Sequence, residues 1–422
     1  MIAIPTWLLV FLIGLVLFLG IIVWSVKRRS RTHLKLDTHD SFLELLPSIA
    51  GVTQGTMVEG NRIELLQDGA WFDALFKDLE KAARSIHFET FLSKEGEVTR
   101  RVTDILSRKA RDDVRVRLML DGSGGKNFGK DAVKTMRDAG CEVIFYHPLG
   151  LTNLGKLNNR THRKIVIIDG TIGHIGGHCL VDSWLGEAQD KEHFRDMSAR
   201  VQGPVVAQIQ SAFSENWVEE TGEVVGGDRF FPHLEPVGES RAHAVYVSPT
   251  GSPSTVKILH YFALKAAKKS IRIQNPYFLP DPDARDALVE AVKRGVDVRI
   301  MIPDDKASDS PLVQHASHHH YGTLLKGGVR LFDYQPTLLH QKVITVDHCW
   351  SLIGSTNFDD RSFELNDEVA LVVFDETLAR EFEETFERDL KHCIERNLDT
   401  WSRRPVPHKL RDFFSFLVNE QL

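Results

Sequence analysis

Cysteine is scarce in this chain. Its 422 residues include four, Cys141, Cys179, Cys349 and Cys393. No two stand at CxxC or other metal-ligand spacing, which argues against a zinc site or a disulfide framework and points to a reducing compartment. An excess of basic charge is also missing. The formal net charge is −6, whereas a domain living on nucleic acid phosphates is more often basic, so no nucleic acid partner is expected. The composition suggests neither disorder nor collagen-like repetition, and at 42% hydrophobic the chain is long enough for more than one core.

Charge is absent altogether from the first 26 residues, MIAIPTWLLVFLIGLVLFLGIIVWSV. Trp7 and Trp24 bracket a leucine- and isoleucine-rich stretch about 25 Å long as a helix, close to a bilayer core, so residues 1–26 read as one membrane span. A cleaved signal peptide should begin with positive charge and end in small residues, but here Lys27, Arg28, Arg29 and Arg31 follow the apolar stretch. That cluster belongs on the cytoplasmic side. It makes residues 27–57 a basic juxtamembrane linker and turns the rest of the chain toward anionic head groups of the inner leaflet.

The remainder repeats itself. "ALFKDLEKAARSIHFETF" (Ala74–Phe91) has a counterpart in "KILHYFALKAAKKSIRIQNPYF" (Lys257–Phe278), "VRVRLMLDG" in "VDVRIMIPD", and "AGCEVIFYHP" in "KGGVRLFDYQP". Apolar strands alternating with amphipathic helices predict an α/β sheet in each half, parallel or mixed, with helices on its faces. The halves are set at 58–225 and 245–400. A Gly- and Pro-rich connector lies at 226–244, and an amphipathic tail at 401–422 is either an interfacial helix or one packed on the protein.

One pattern recurs at the same point of each half. His162, Lys164 and Asp169 in "THRKIVIIDG" are answered by His340, Lys342 and Asp347 in "LHQKVITVDH". A single H-x-K-x4-D is a weak signal, since strands often open on polar residues. Two copies at equivalent places are a strong one. Residues two apart on a strand share a face, so each histidine projects with its lysine, and the aspartates reach back from just beyond the strand end. If the halves pack together, two imidazoles and two ammonium groups meet in one pocket suited to a phosphodiester. The lysines neutralise the phosphate oxygens, one neutral imidazole attacks phosphorus, and the other, protonated, donates to the leaving oxygen. The aspartates would fix tautomer and orientation, and the chemistry needs no metal or cofactor.

With these motifs the chain resembles the phospholipase D superfamily, and within it the bacterial cardiolipin synthases. "IGSTNFDDRSFELNDEVALVVFD" and "FRDMSARVQGPVVAQIQSAFSENW" are similar to the blocks after the second and first motifs, and the likeness runs from about Glu59 to Ile394. It implies two α/β sandwich halves related by pseudo-two-fold symmetry, with the active site at their interface. It also implies transfer of a phosphatidyl group through phospho-histidine at the bacterial inner membrane, two phosphatidylglycerols giving cardiolipin and glycerol. By family analogy His162 is the nucleophile and His340 the acid and base. Asn357 matches the asparagine that follows the second motif and would hydrogen-bond a phosphate oxygen. Cys179 stands at its place in the first half, leaving backbone N–H groups near Gly176 and Gly177, or His178, as substitutes. Ser355 and Glu368 complete the expected substrate-binding set, with a structural role for Glu368 and Asn366 the alternative.

A phospholipase that uses water as acceptor would need the same residues, and nothing in the sequence separates it from a transferase. A nuclease is disfavoured by the anchor and the acidic balance, and a silent scaffold by retention of all six motif residues. Glu89 and Asn275, at matching strand ends, either line the pocket or cap a neighbour. "HASHHH" (His315–His320) invites a metal reading, but no acidic or cysteine partner stands nearby at ligand spacing, so a polar helix start beside the cleft is expected there. No oligomeric state is specified.

Overall fold

Strands of β-branched and aliphatic residues alternate with helices whose apolar residues recur at helical spacing, and the order is the same in both halves. A computed structural model describes residues 5–27, 33–36, 40, 42–53, 55–148, 150, 159–248 and 254–417. Two helices come first, α1 (Thr6–Lys27) and α2 (Phe42–Val52). The first half comprises β1 (Val58–Gln67), α3 (Ala70–Lys81), β2 (Ser85–Thr90), α4 (Glu97–Arg111), β3 (Arg115–Asp121), α5 (Lys130–Asp138), β4 (Glu142–Tyr146), β5 (Ile165–Ile168), β6 (Ile172–Gly176), β7 (Met197–Gln202) and α6 (Val206–Thr221). The second comprises β8 (Ser240–Val247), α7 (Thr255–Ala266), β9 (Ser270–Gln274), α8 (Pro282–Lys293), β10 (Asp297–Pro303), α9 (Pro311–Lys326), β11 (Arg330–Tyr334), β12 (Val343–Val346), β13 (Trp350–Gly354), α10 (Asp360–Glu364), β14 (Glu368–Phe374) and α11 (Glu376–Leu390). β15 (Cys393–Glu395), α12 (Leu398–Ser402) and α13 (Val406–Phe416) follow.

The strand order makes the duplication explicit. One half runs β1-β7-β6-β5-β2-β3-β4 and the other β8-β14-β13-β12-β9-β10-β11, with β15 on the outer edge. β1 and β8 pair antiparallel, Asn61 opposite Ser240, and join the two into one sheet. The trios β2-β3-β4 and β9-β10-β11, linked by helical crossovers, are parallel, and the hairpin strands are antiparallel, which is the mixed sheet expected. The hairpins β5–β6 and β12–β13 turn at Asp169 and Asp347, whose φ values are 55° and 53°. Aspartate tolerates this left-handed conformation better than most residues.

Helices α3, α4 and α5 cover one face of the first half, and α2, α7 and α8 one face of the second. The central core draws on both halves. Ile165, Ile167 and Ile175 meet Val343, Ile353 and Val369 there, with Phe213 and Trp217 of α6 and Leu378 and Phe382 of α11. Each such buried aromatic contributes roughly 2–3 kcal/mol by burial, so the two halves are held as one body by apolar area rather than by the connector.

Two expected boundaries shift. The stretch 27–57, read as a linker, contains α2, whose Phe42, Leu45 and Ile49 enter the second-half core and whose Phe42 stacks on Trp350 at 5.5 Å. β8 begins at Ser240, inside the expected connector. The chain divides into two units, Met1–Lys35 and Leu36–Leu422. Among the described residues no helix is long and apolar enough to cross a membrane. Arg28, Arg29 and Arg31 of the expected basic cluster lie outside the described residues.

Candidate active site

Residues 161–164 run extended into β5, and the same stretch of the second half runs into β12. Alternation along these segments assigns the faces. Arg163 turns to α6, donating to the Ala212 carbonyl and to Glu215, while Gln341 donates to Asp389 of α11. The histidines and lysines take the other face.

Matching bridges draw the halves together. The His162 N–H donates to the Asp367 carbonyl at 2.9 Å, and the His340 N–H donates to the Arg195 carbonyl at 2.7 Å. In each case the next residue of the opposite half carries a carboxylate. His162 Nδ1 donates to Glu368 Oε1 at 2.8 Å, and His340 Nδ1 to Asp196 Oδ2 at 2.7 Å. Each imidazole is thus oriented through Nδ1 by a carboxylate from the other half, which makes Nε2 the nitrogen turned to chemistry. Phe91 packs edge-on against His162, and Trp184 against His340.

The lysines are placed in the same way twice. Lys164 Nζ donates to the His162 carbonyl and Lys342 Nζ to the His340 carbonyl, both at 2.7 Å. Lys342 Nζ also lies 3.0 Å from His340 Nε2, and Lys164 Nζ sits over the Phe91 ring.

The two carboxylates are held differently. Asp196 Oδ2 accepts the Trp184 indole N–H at 2.7 Å, while Glu368 Oε2 accepts the Ser355 hydroxyl. At Ser355's place in the first half stands Gly177, where a Cβ would come within 2.4 Å of the Asp196 carboxylate. The shorter aspartate therefore needs the glycine. The longer glutamate takes a hydroxyl instead.

Protonation follows these environments. Burial raises Glu368 to about 7 despite Lys164 and Ser355, so it is partly neutral at neutral pH. Burial also works on Asp196, but His340, His178 and Lys342 outweigh it and hold this carboxyl far below the ordinary range. His162 is driven well down, first by burial and then by Lys164, Lys342 and His340. His340 is lowered by burial and Lys342, but Asp196 pulls its affinity for a proton back up. His162 is thus held neutral, and His340 is the imidazole better supported as a cation. Lys342 is lowered to about 7 by burial, with Lys164 adding to the effect against Asp196.

Several expected site residues are elsewhere or otherwise engaged. Asp169 accepts the N–H groups of Ala83, Arg84 and Ser85, and Asp347 those of Lys268, Lys269 and Ser270, pinning each hairpin turn to the start of β2 or β9. These aspartates are at the far end of the strand from the histidines and do not orient them. His178 uses both ring nitrogens, on Ser198 Oγ and the Asp68 carbonyl, and stacks on Trp71. The Gly176 and Gly177 N–H groups donate to the Lys164 and Met197 carbonyls. None of these three is free for phosphate. Ser355 and Glu368 bond to one another and act on His162 rather than on substrate. Asn357 is buried with Oδ1 unpartnered, while Cys179, also buried, has its Sγ 3.9 Å from the Gly177 carbonyl. Glu89 accepts from Thr161 and Asn216, and Asn275 caps Tyr277 and Phe358, so both serve the walls of the site.

Asp196 was not singled out from the sequence, because its partner lies 144 residues away in the other half. A signal was present. "RDM" before β7 and "DEV" at β14 put a carboxylate at the same step of the repeat.

Duplicated mixed sheets with twin histidine–lysine pairs, each histidine backed by a carboxylate of the opposite half, define a phosphodiester-handling enzyme of the phospholipase D type. The family model described as cardiolipin synthase, PLD-like domain, matches residues 75–217 and 262–390. The chain is 36% identical over 321 residues to cardiolipin synthase A of Pseudomonas fluorescens, covering 76% of this chain and 66% of that one. It is 33% identical over 363 residues to a cardiolipin synthase of Alkalihalophilus pseudofirmus, covering 85% and 72%. A cardiolipin synthase of Staphylococcus aureus is 33% identical over 80% of this chain and 69% of its own. The chain belongs to the cardiolipin synthase family of PLD-like proteins. The fold is shared with phosphatidylserine synthase of Haemophilus influenzae, at TM-score 0.66 and 13% identity over 85% of this chain and 95% of that one.

Proposed function

We propose that this enzyme transfers a phosphatidyl group from one phosphatidylglycerol to another, releasing glycerol and forming cardiolipin. The observation that carries the reading is the twin geometry: two lysine-flanked histidines, each held through Nδ1 by a carboxylate of the opposite half. The unequal carboxyls, Glu368 raised to about 7 and Asp196 held low, support His162 as nucleophile and His340 as acid. The phosphodiester sits between Lys164 and Lys342, whose charges offset that on its non-bridging oxygens, with the Asn357 amide donating to one of them. His162 Nε2 attacks phosphorus. As the P–O bond to glycerol breaks, His340 gives its Nε2 proton to the departing oxygen. A hydroxyl of the second phosphatidylglycerol then loses its proton to His340 and attacks the phospho-histidine, which restores His162 and returns His340 to its starting form.

The lipid substrate agrees with two features outside the site. The apolar segment 1–26 is read as a single anchor, with the basic residues after it on the cytoplasmic side of the bacterial inner membrane. In addition, α13 buries Asp412 and Ser415 and exposes Leu410, Phe413 and Phe414, an apolar face turned outward as an interfacial helix requires. Incubation of the full-length protein with phosphatidylglycerol in mixed micelles tests the reaction. Cardiolipin and glycerol should appear in equal amounts, and accumulation of phosphatidic acid in place of cardiolipin would replace transfer by hydrolysis.

A further inference from the structure

The histidine run on α9 faces a carboxylate that its sequence neighbourhood does not contain. α13 packs on α9 and turns Asp412, one of its two buried residues, toward His315 and His318. Asp412 Oδ1 is 3.6 Å from His318 Nδ1 and 3.9 Å from His315 Nδ1, and the three ligand atoms lie within 4.8 Å of one another. Both Nδ1 atoms are buried, and neither has a hydrogen-bond partner. The sequence offers no acidic partner at ligand spacing and predicts only a polar helix start; the fold supplies the carboxylate from α13.

We infer that His315, His318 and Asp412 form a binding site for a divalent transition-metal ion such as zinc, which clamps the C-terminal helix α13 onto α9. The surroundings are those of a built site. His318 Nε2 donates to Asp305 Oδ1 at 3.0 Å, fixing the tautomer in which Nδ1 carries the lone pair. A carboxylate behind a ligating histidine is a recurrent support in metal sites. Arg404 donates to Asp412 Oδ2 at 2.7 Å, which orients the carboxylate and leaves Oδ1 toward the histidines. Arg411 reaches Oδ1 only at 3.4 Å, from a partly exposed position, and can swing into solvent. Metal–ligand bonds of about 2.0–2.1 Å at tetrahedral angles separate ligand atoms by roughly 3.3–3.5 Å, so the two Asp412 distances must close by a few tenths of an ångström and the two imidazole nitrogens, within 4.8 Å of one another, by up to about 1.5 Å, a side-chain rotation of His315. His318 and Asp412 are almost fully buried, and His315 is partly exposed. Two imidazoles and one carboxylate suit zinc better than magnesium or calcium, which prefer oxygen donors.

Tag-free full-length protein in detergent, stripped with a chelator, is titrated with zinc against a chromophoric competitor. One zinc should bind per chain. H315A, chosen because His315 makes no hydrogen bond through Nδ1 and is partly exposed, should weaken binding at least tenfold, and D412N likewise. D305N should weaken it about 10–100-fold through loss of the supporting carboxylate. Zinc should also slow proteolysis within 405–417 in the unmodified protein but not in H315A. Absence of stoichiometric binding, or unchanged affinity in both H315A and D412N with circular dichroism showing intact folds, overturns the site.

Discussion

Replacing Asp196 with asparagine removes one charge and keeps the shape. The 2.7 Å bond from His340 Nδ1 is charge-assisted because Asp196 stays ionised. A hydrogen bond to a charged group contributes about 1.5–3 kcal/mol, or about 10–150-fold in rate at about 1.4 kcal/mol per decade. An asparagine can also turn its amide N–H toward Nδ1 and select the wrong tautomer, a fault that costs up to about 10⁴-fold in a comparable histidine–aspartate pair. The expected loss in kcat for D196N is therefore about 10²–10⁴-fold, with KM little changed. The pH profile carries a sign. Asp196 raises the proton affinity of His340, so its loss lowers that affinity, and the alkaline limb of kcat moves to lower pH. Glu368 is the control. It is pushed up to about 7 and is partly neutral already, so E368Q, which keeps the acceptor at Oε1, should lose no more than about tenfold near neutral pH. Steady-state cardiolipin formation from pH 5.5 to 9 reads both variants. A larger loss in E368Q than in D196N would refute the unequal roles.

In G177A the added methyl meets the Asp196 carboxylate at 2.4 Å, so kcat should fall at least tenfold while far-ultraviolet circular dichroism is unchanged. D169N and D347N each weaken a carboxylate cap on three backbone N–H groups and should lower stability by about 1–3 kcal/mol in denaturant titrations, without moving the pH profile of the remaining activity. Lys342, held near 7 by burial, loses its charge as pH rises through that value, so kcat/KM should decline above about pH 7. K342R, charged throughout, should reduce that decline to the limb set by deprotonation of His340, even at reduced activity. Asp78 is held down to about 2 because His174 and Arg200 outweigh burial. A depressed carboxyl stabilises above its ordinary 3.8 and loses the effect as pH falls toward 2, so the Tm difference between the parent and D78N should be present at pH 7 and shrink below pH 4.

Much of the fold was legible because each half carries the same signals in the same order, and "VRVRLMLDG" against "VDVRIMIPD" is enough to align them. The histidines and lysines were legible for the same reason. Repetition did not distinguish chemistry from architecture, however. Asp169 and Asp347 recur as faithfully as the histidines, yet they serve the hairpin turns, where a left-handed residue must also hold three N–H groups. Asp196 was hidden because its partner crosses from the other half, a relation that no periodicity along the chain displays. Asp412 was hidden likewise, since only the packing of α13 on α9 brings it to the histidine run.

Acid quenching of the enzyme shortly after mixing with phosphatidylglycerol labelled at phosphorus, followed by peptide mapping, tests the transfer route most directly. Attack by His162 requires label on the peptide containing His162 and its absence in H162A, with H340A retaining it in slowed form. Label confined to His340 would contradict that assignment, and turnover with no covalent phospho-enzyme would contradict the mechanism itself.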